Sequence, residues 1–436
     1  MKRRSFLTAG VAGAVLAASG ATGAQTRLRP NASDNQSAAL AQALAEASAG
    51  DMPLVLAPGT YRIGGVDMPA GARIEGTAGA TRLLAAKPGP IFRGQAGSRL
   101  RLAGLIFDGA NLPFGEGTGL VELGGIEEAV IADCHFVDAP ARGVGLERCG
   151  GRIESCRFEG LDTAVYSNDS AGLSILGNVV RGCANNGILV HQSRKARDGS
   201  IVARNRIEAI GAKGGGLGWY GNGINVFRAG NVVVSENIIR DCAFSFIRAN
   251  SGDAVQILGN NCDGAGETGI YCEFSFEGAM IAHNSVTRAA TGIAVVNFDK
   301  GGRLATVVGN VVRGAFRRPL LDRAGDGYGV GIAAEADASV TGNVLEDCQR
   351  AGIALGYGNF LRDVAVTGNV VRGGAAAIIV TVAESERNVL ISGNVFAQSS
   401  EGSVIGYRWE AKATADLAAD GAEQIKGITI GANQVR

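Results

Sequence analysis

Arg248, Tyr271, Glu273 and His191 are the residue types that can take up and return a proton beside a carboxylate. A guanidinium neutralises the carboxylate, a phenol or imidazole exchanges the proton, and a second carboxylate binds or orients. They fall in separate short segments, Gly187-Ile188-Leu189-Val190-His191, Ile247-Arg248 and Gly269-Ile270-Tyr271-Cys272-Glu273. The segments resemble one another, so a repeat would have to bring these side chains together.

A repeat is present. Asn, or Cys in the earliest copy, followed by an apolar residue recurs at Cys156, Asn178, Asn205, Asn237, Asn260, Asn284, Asn310, Asn343, Asn369 and Asn394, at intervals of 22 to 33 residues. Periods of this size mark a solenoid. Gly-Ile-x-Val-like segments after most of these Asn residues are short, rich in β-branched residues and bounded by Gly or Asn, so they read as strands. Asn231 to Ser235, Ala365 to Thr367 and Val389 to Ser392 supply a second strand per period. Each period therefore fits one coil of an all-β, parallel β-helix solenoid, whose stacked coils share a core that no single coil could bury.

Asn at a corner tolerates left-handed backbone, and its amide can bond the equivalent Asn one coil away. These Asn residues are expected to be structural. So are the glycines, 67 in all, where corners recur.

Alternation along a strand names an outer face. With Ile188, Ile224, Ile247, Ile270, Ile293, Ile332 and Ile353 inward, one outward column is Leu189, Asn225, Arg248, Tyr271, Ala294, Ala333 and Ala354. Two residues on lies another: His191, Phe227, Asn250, Glu273, Val296, Glu335 and Gly356. At about 4.8 Å per rung, Arg248 lies between Asn225 and Tyr271, with Glu273 roughly 8 Å away. Arg228, Asn297 and Tyr357 border the patch. Coils lengthen before this strand at Gly211 to Gly221 and Ala315 to Gly327, and after it at Ser193 to Gly199, Phe298 to Arg303 and Tyr357 to Asp363. The face is thus expected to floor a water-facing groove between loops, with Trp219, Tyr220, Arg194 and Asp198 placed to close over it.

The 436 residues carry 41 basic and 41 acidic side chains, a balance that argues against a nucleic-acid or anionic-membrane surface. The eight cysteines contain no CxxC pair, and His135, His191 and His283 do not cluster with them, so neither a metal nor a cofactor is indicated. Cys134 and Cys156 occupy the corner that later carries Asn, where stacking would permit a disulfide, but buried free thiols are the expectation.

Lys2-Arg3-Arg4-Ser5-Phe6-Leu7 precedes a weakly apolar stretch from Thr8 to Ala18 and small residues at Thr22-Gly23-Ala24. This matches a twin-arginine signal over 1–24, too short and Gly-rich for a stable membrane span. It implies the Tat export machinery as a partner and a periplasmic or secreted mature protein. Asp34 to Ala47 reads as an amphipathic capping helix behind Ser33 or Asp34, within a cap at 25–50. The β-helix is expected over 51–400, with a last coil and a C-terminal cap at 401–436.

Helix, Leu54-Val55-Leu56, Pro58-Gly59-Thr60-Tyr61 and Ile74-Glu75-Gly76 together resemble the opening of the pectate-lyase-like right-handed β-helix superfamily. With the export signal and the segments at Asn222 to Arg228 and Gly352 to Asp363, the chain is similar to twin-arginine-exported β-helix repeat proteins. The resemblance implies a right-handed helix and brings no reaction with it. The Asn-Thr-Asp, Asp-Asp, Gly-His-Gly and Arg-Ile-Lys set of polygalacturonases is absent, Gly151-Arg152-Ile153-Glu154 being only a fragment. The Asp-Pro-His-His signature of alginate epimerases is absent too.

Three readings follow. As a uronate-specific, lyase-like enzyme on polysaccharide, Arg248 would neutralise the sugar carboxylate, Tyr271 or His191 would exchange the proton, and Glu273 and Glu335 would bind or orient. Asn225, Phe227, Arg228, Asn250, Asn297, Tyr357 and Trp219 would bind substrate. The second reading is a non-catalytic carbohydrate-binding protein using the same groove. The third is a structural or protein-binding scaffold.

Overall fold

The computed structural model describes residues 24, 25, 28–216, 218–296, 301–319, 326–384 and 387–436. Of residues 1–24, where an export signal is expected from the sequence, only Ala24 is among them. Among the described residues no helix is long and apolar enough to cross a membrane.

The chain is a right-handed parallel β-helix in which each coil gives one strand to each of three parallel sheets. One coil runs through Asn186–Arg197, Ile201–Ala203 and Arg206–Ile210. Its strands pair in turn with Asn222–Gly230, Val233–Ser235 and Ile238–Cys242 of the next coil. Register is held along the stack: Ile188, Ile224, Ile247, Ile270, Ile293, Ile332 and Ile353 pair successively and are all fully buried. The earlier coils add a column of aromatic rings, Phe107, Phe136 and Phe158, stacked at 4.8 Å.

The Asn corner forms a continuous buried ladder from Asn178 to Asn394 that ends on Asn433. Each Asn after Asn178 accepts the backbone N–H and an amide hydrogen of the Asn one coil before it, and Asn178 accepts the backbone N–H of Cys156. For Asn237 and Asn260, both distances are 3.0 Å. Its own Nδ2 also reaches a carbonyl of the preceding coil, as Asn237 does with Val202 at 3.0 Å. The left-handed residue is not the Asn, as expected from sequence, but the one before it: Arg204, Glu236, Gly259, His283, Gly309 and their equivalents have positive φ. That residue makes the corner on the surface, which turns the Asn side chain inward to serve the ladder.

The glycine of the Gly-Ile segment is likewise not a corner device. At Gly292 a Cβ would meet Val312 Cγ1 at 2.4 Å and the Gly331 carbonyl at 2.5 Å. Close approach of the next coil, rather than positive φ, requires glycine there.

All eight cysteines are free and buried. Cys134 and Cys156 head the Asn column, each Sγ donating to a backbone carbonyl at 3.3 Å, so the thiols take the place of the amide. The capping helix is Ser37–Ala49, with Leu40, Leu44 and Ala47 facing the core. It starts later than Asp34 because Asn31 Oδ1 captures the N–H groups of Ser33 and Asp34, a local turn that keeps these residues out of the helix. Neither Ser33 nor Asp34 caps it; Gln36 stands at that position. Beyond residue 401, Gly402–Arg408 turns back through Ala411–Asp416 as an antiparallel hairpin before Ile428–Gly431 and Gln434–Val435 rejoin the stack.

Candidate functional site

The outer columns of the first sheet have the expected register: Asn225, Arg248, Tyr271, Ala294, Ala333 and Ala354 pair in order, as do Phe227, Asn250, Glu273 and Val296. The face is not open to water, however. Asn225, Arg248 and Glu273 are only 6%, 8% and 4% exposed.

The cover is the stretch 218–221 that leads into the strand. Asn186 Nδ2 donates to the Trp219 carbonyl at 3.1 Å, and Asn222 Nδ2 donates to the carbonyls of Gly218 and Tyr220 at 3.0 and 3.2 Å. Asn225 Nδ2 adds a bond to Gly218 at 3.3 Å. Gly218, with φ +99°, lies against Arg248, and a Cβ there would be 2.4 Å from the guanidinium carbon. The loop therefore rests on the Arg248 side chain, and glycine is needed for it to do so.

Beneath the loop, Arg248 Nε donates to Glu273 Oε1 at 2.6 Å, and Nη1 lies 3.6 Å from Glu267 Oε2. Asn250 Nδ2 donates to the same Glu273 oxygen at 3.0 Å. The guanidinium carbon stands 5.0 Å from the Tyr271 ring centre. Burial alone would lower the Arg248 pKa, but Glu273 and then Glu267 outweigh it and hold it above its ordinary value. Burial, reinforced by Glu273, raises the Tyr271 phenol, so it stays protonated at neutral pH.

His191 is buried, 8% exposed, between Tyr166 and Phe227, each ring centre 5.5 Å away. Its Nε2 has no hydrogen-bond partner. Burial, aided by Arg142, lowers its pKa to about 4, so the ring is neutral at pH 7. His191 is therefore not a surface histidine.

An open cleft of about 250 Å³ remains beside the loop, lined by His191, Gly218, Trp219, Asn225, Phe227, Arg248, Asn250 and Phe274. Two of these are exposed aromatic side chains, Trp219 at 65% and Phe274 at 40%, and Trp219 lies 5.9 Å from the Phe227 ring. Phe274 has φ +60°, a costly conformation for a bulky side chain, at the corner that ends the strand. Arg228 does not line the cleft but stands behind it, its guanidinium over the Phe227 ring at 4.6 Å and donating to the Ser193 carbonyl at 2.8 Å.

The other residues singled out from sequence lie elsewhere. Tyr271 and Glu273 back the cleft rather than line it. Glu335 is buried farther along the face, and Tyr357 belongs to a separate cleft with Trp409. Asn297 lies outside the described residues. Asp198 does not close over the patch; it accepts from Gln192 Nε2 and Ser200 N, both at 2.9 Å. Glu267, Asn186, Asn222, Gly218 and Phe274 were missed. Asn immediately before Gly-Ile at 186 and 222 was the available signal; nothing periodic marks Glu267 or Phe274.

As proton-transfer groups, His191 and Tyr271 are three rungs and two residues apart, roughly 16 Å at the backbone. Among the described residues no three His, Cys, Asp or Glu side chains are grouped to hold a metal ion. The arrangement is suited to gripping a ligand with planar polar groups between aromatic faces.

No curated protein matches the sequence. Among solved structures, the chain is similar to the pre-mature bacteriophage phi29 gene product 12, with 13% identity, TM-score 0.51, and coverage of 82% of this chain and 55% of that one. It thus spans about half the length of the phage protein. It is also similar to the Streptococcus pneumoniae surface protein and adhesin PfbA, with 12% identity, TM-score 0.49, and coverage of 93% and 97%. An alginate lyase from Paenibacillus sp. matches at 15% identity and TM-score 0.35, with coverage of 83% and 96%. At these identities the likeness concerns fold alone. Residues 142–312 match the family model described as right handed beta helix region, and with the observed coil register this makes the chain a right-handed parallel β-helix protein carrying that region across its middle.

Proposed function

We propose that this is an exported protein that holds a polysaccharide on the outer face of its first sheet, in the cleft lined by Trp219 and Phe274. The observation that carries this reading is that two exposed aromatic side chains, Trp219 and Phe274, line one cleft together with planar polar groups, Asn225, Arg248 and Asn250. Amphipathic rings of this kind stack on sugar faces, and buried amide and guanidinium groups fix orientation by hydrogen bonding. With Glu273 and Glu267 already beside Arg248, its charge is offset. That favours hydroxyl recognition over capture of a uronate carboxylate. Export rests on the paired arginines at Arg3 and Arg4 and the small residues before Gln25, which would direct the protein through the Tat machinery to the periplasm or beyond.

A lyase-like activity is the second reading, favoured by one observation: His191, neutral at pH 7, is among the residues that line the cleft. Glycan-array binding of the protein, followed by ultraviolet absorbance during incubation with acidic glycans, tests both. Binding without new absorbance supports a holder, and growth of unsaturated ends supports the lyase. Absence of binding to any glycan sinks the proposal.

A further inference from the structure

The first outer column runs back from Asn225 through Leu189, Tyr166 and Gly145 to Glu122. One coil before His191, the Tyr166 ring carries the Arg142 guanidinium, whose carbon stands 3.8 Å from the ring centre. Tyr166 in turn meets His191 edge to face at 5.5 Å. The guanidinium is therefore within about 9 Å of the His191 ring centre, and His191 lines the cleft.

Arg142 differs from Arg248 in having no counter-ion. Among the described residues its side chain makes neither an ion pair nor a hydrogen bond, and none of its nitrogens is closed off from solvent. Arg142 and Tyr166 are both half-buried. The carboxylates nearby serve other partners. Glu147 pairs with Arg148 at 2.7 Å and accepts from Asn168 Nδ2 at 3.0 Å, and Asp169 accepts the Ser193 N–H at 2.7 Å. Burial raises the Glu122 pKa and Arg142 opposes it, yet the two make no ion pair. Arg228, over Phe227, is a second guanidinium bonded to a carbonyl and to no carboxylate among the described residues.

A guanidinium resting on an aromatic ring is held in place before any ligand arrives, and its planar fork matches a carboxylate through two parallel N–H···O bonds. We infer that Arg142 on Tyr166 is a carboxylate subsite beside the cleft, and that the polysaccharide is a uronate-containing one. This inference rests on the proposed polysaccharide binding and names its chemical class. It divides the work between two arginines. Arg142 takes the acid group, and Arg248, already offset by Glu273 and Glu267, is left to hydroxyls.

Tetramers of alginate and of polygalacturonate, and the same tetramers with each carboxylate reduced to a primary alcohol, would be titrated by calorimetry into the full-length protein and into Arg142→Gln and Arg142→Lys. The parent is expected to prefer the acid form of one tetramer by about tenfold or more. Arg142→Gln should lose that preference and keep the parent's affinity for the reduced form, which doubles as the check that the variant is folded. Arg142→Lys should retain part of it, because the charge remains and the fork does not. A parent with no preference for the acid form, or an Arg142→Gln variant that weakens both forms equally, overturns the carboxylate subsite. In either case binding of the reduced tetramer, or of a neutral glucan on the array, leaves the cleft reading standing. A parent that binds no glycan of any kind removes both.

Discussion

Arg248 and Glu273, one rung apart on the outer face of the sheet, form a 2.6 Å ion pair with side chains only 10% and 5% exposed. A pair on the outside of a solenoid is usually solvated and contributes little. Here a loop makes it an interior pair, and interior pairs are unforgiving when one partner is removed.

Glu273→Gln should therefore lower unfolding free energy by about 3 kcal/mol, because Arg248 keeps its charge with only the more distant Glu267 to offset it. The double variant Arg248→Met, Glu273→Met should recover most of that loss, since no charge is left stranded. Urea unfolding of the three variants and the parent decides it. Equal losses in single and double variants would mean that packing, not charge, holds the site.

His191 predicts a pH dependence with a definite sign. Its folded pKa, about 4, is below its ordinary 6.5, so the unfolded chain binds the proton first as pH falls. The stability tied to this group is fully present above about pH 6.5 and is lost as pH falls towards 4, by about 3 kcal/mol. His191→Phe should flatten that part of the stability curve, measured as melting temperature between pH 7 and 4 against the parent. A parent curve unchanged by the substitution would remove His191 as the cause.

The columns were legible in the sequence because side chains alternate with a period of two, and a slip of one residue would have put Ile188, Ile224 and Ile270 in water. Their burial left Arg248, Tyr271 and Glu273 no place but the outer face. The state of that face was not legible. Whether the stretch 218–221 stands away or lies down depends on amides meeting carbonyls far apart in the chain, such as Asn186 with Trp219, and no periodic pattern encodes such contacts. The same limit hid Glu267 beside Arg248. The Asn column and its amide ladder were legible, and only the left-handed turn was assigned to the wrong neighbour, since the repeat shows which residue recurs and not which of two neighbours takes that turn.

The ladder makes a graded prediction. Asn284 Oδ1 accepts both Asn260 N and Asn260 Nδ2 at 2.9 Å, while its Nδ2 donates to Ile257 O and Asn310 Oδ1. Asn284→Ala leaves several buried groups short of partners and should cost roughly 3 to 5 kcal/mol. Asn433→Ala removes the final rung, where the site is half-exposed and water can substitute, and should cost about 1 kcal/mol. Denaturant midpoints in the order parent, Asn433→Ala, Asn284→Ala are expected; the reverse order would refute cooperative burial of the column.

Gly218 separates the binding cleft from the stability of the stack. Its φ of +99° and its position over Arg248 mean that Gly218→Ala must lift the loop or displace the guanidinium, and with it the Trp219 bank. Gly342 is a control with φ +63° and nothing within 4 Å of its missing Cβ, on an Asn corner away from the cleft. Gly342→Ala brings backbone strain of about 1 kcal/mol at a corner where other coils carry Arg204, Glu236 and His283, whereas Gly218→Ala adds the contact with Arg248 and should lower the melting temperature further. Only Gly218→Ala should weaken binding of the recognised glycan, by about tenfold, and increase iodide quenching of Trp219 in a Trp409→Phe background. If Gly218→Ala binds as the parent does, the loop is not the bank that holds the ligand, and the cleft lined by Trp219 and Phe274 loses its claim to be the site.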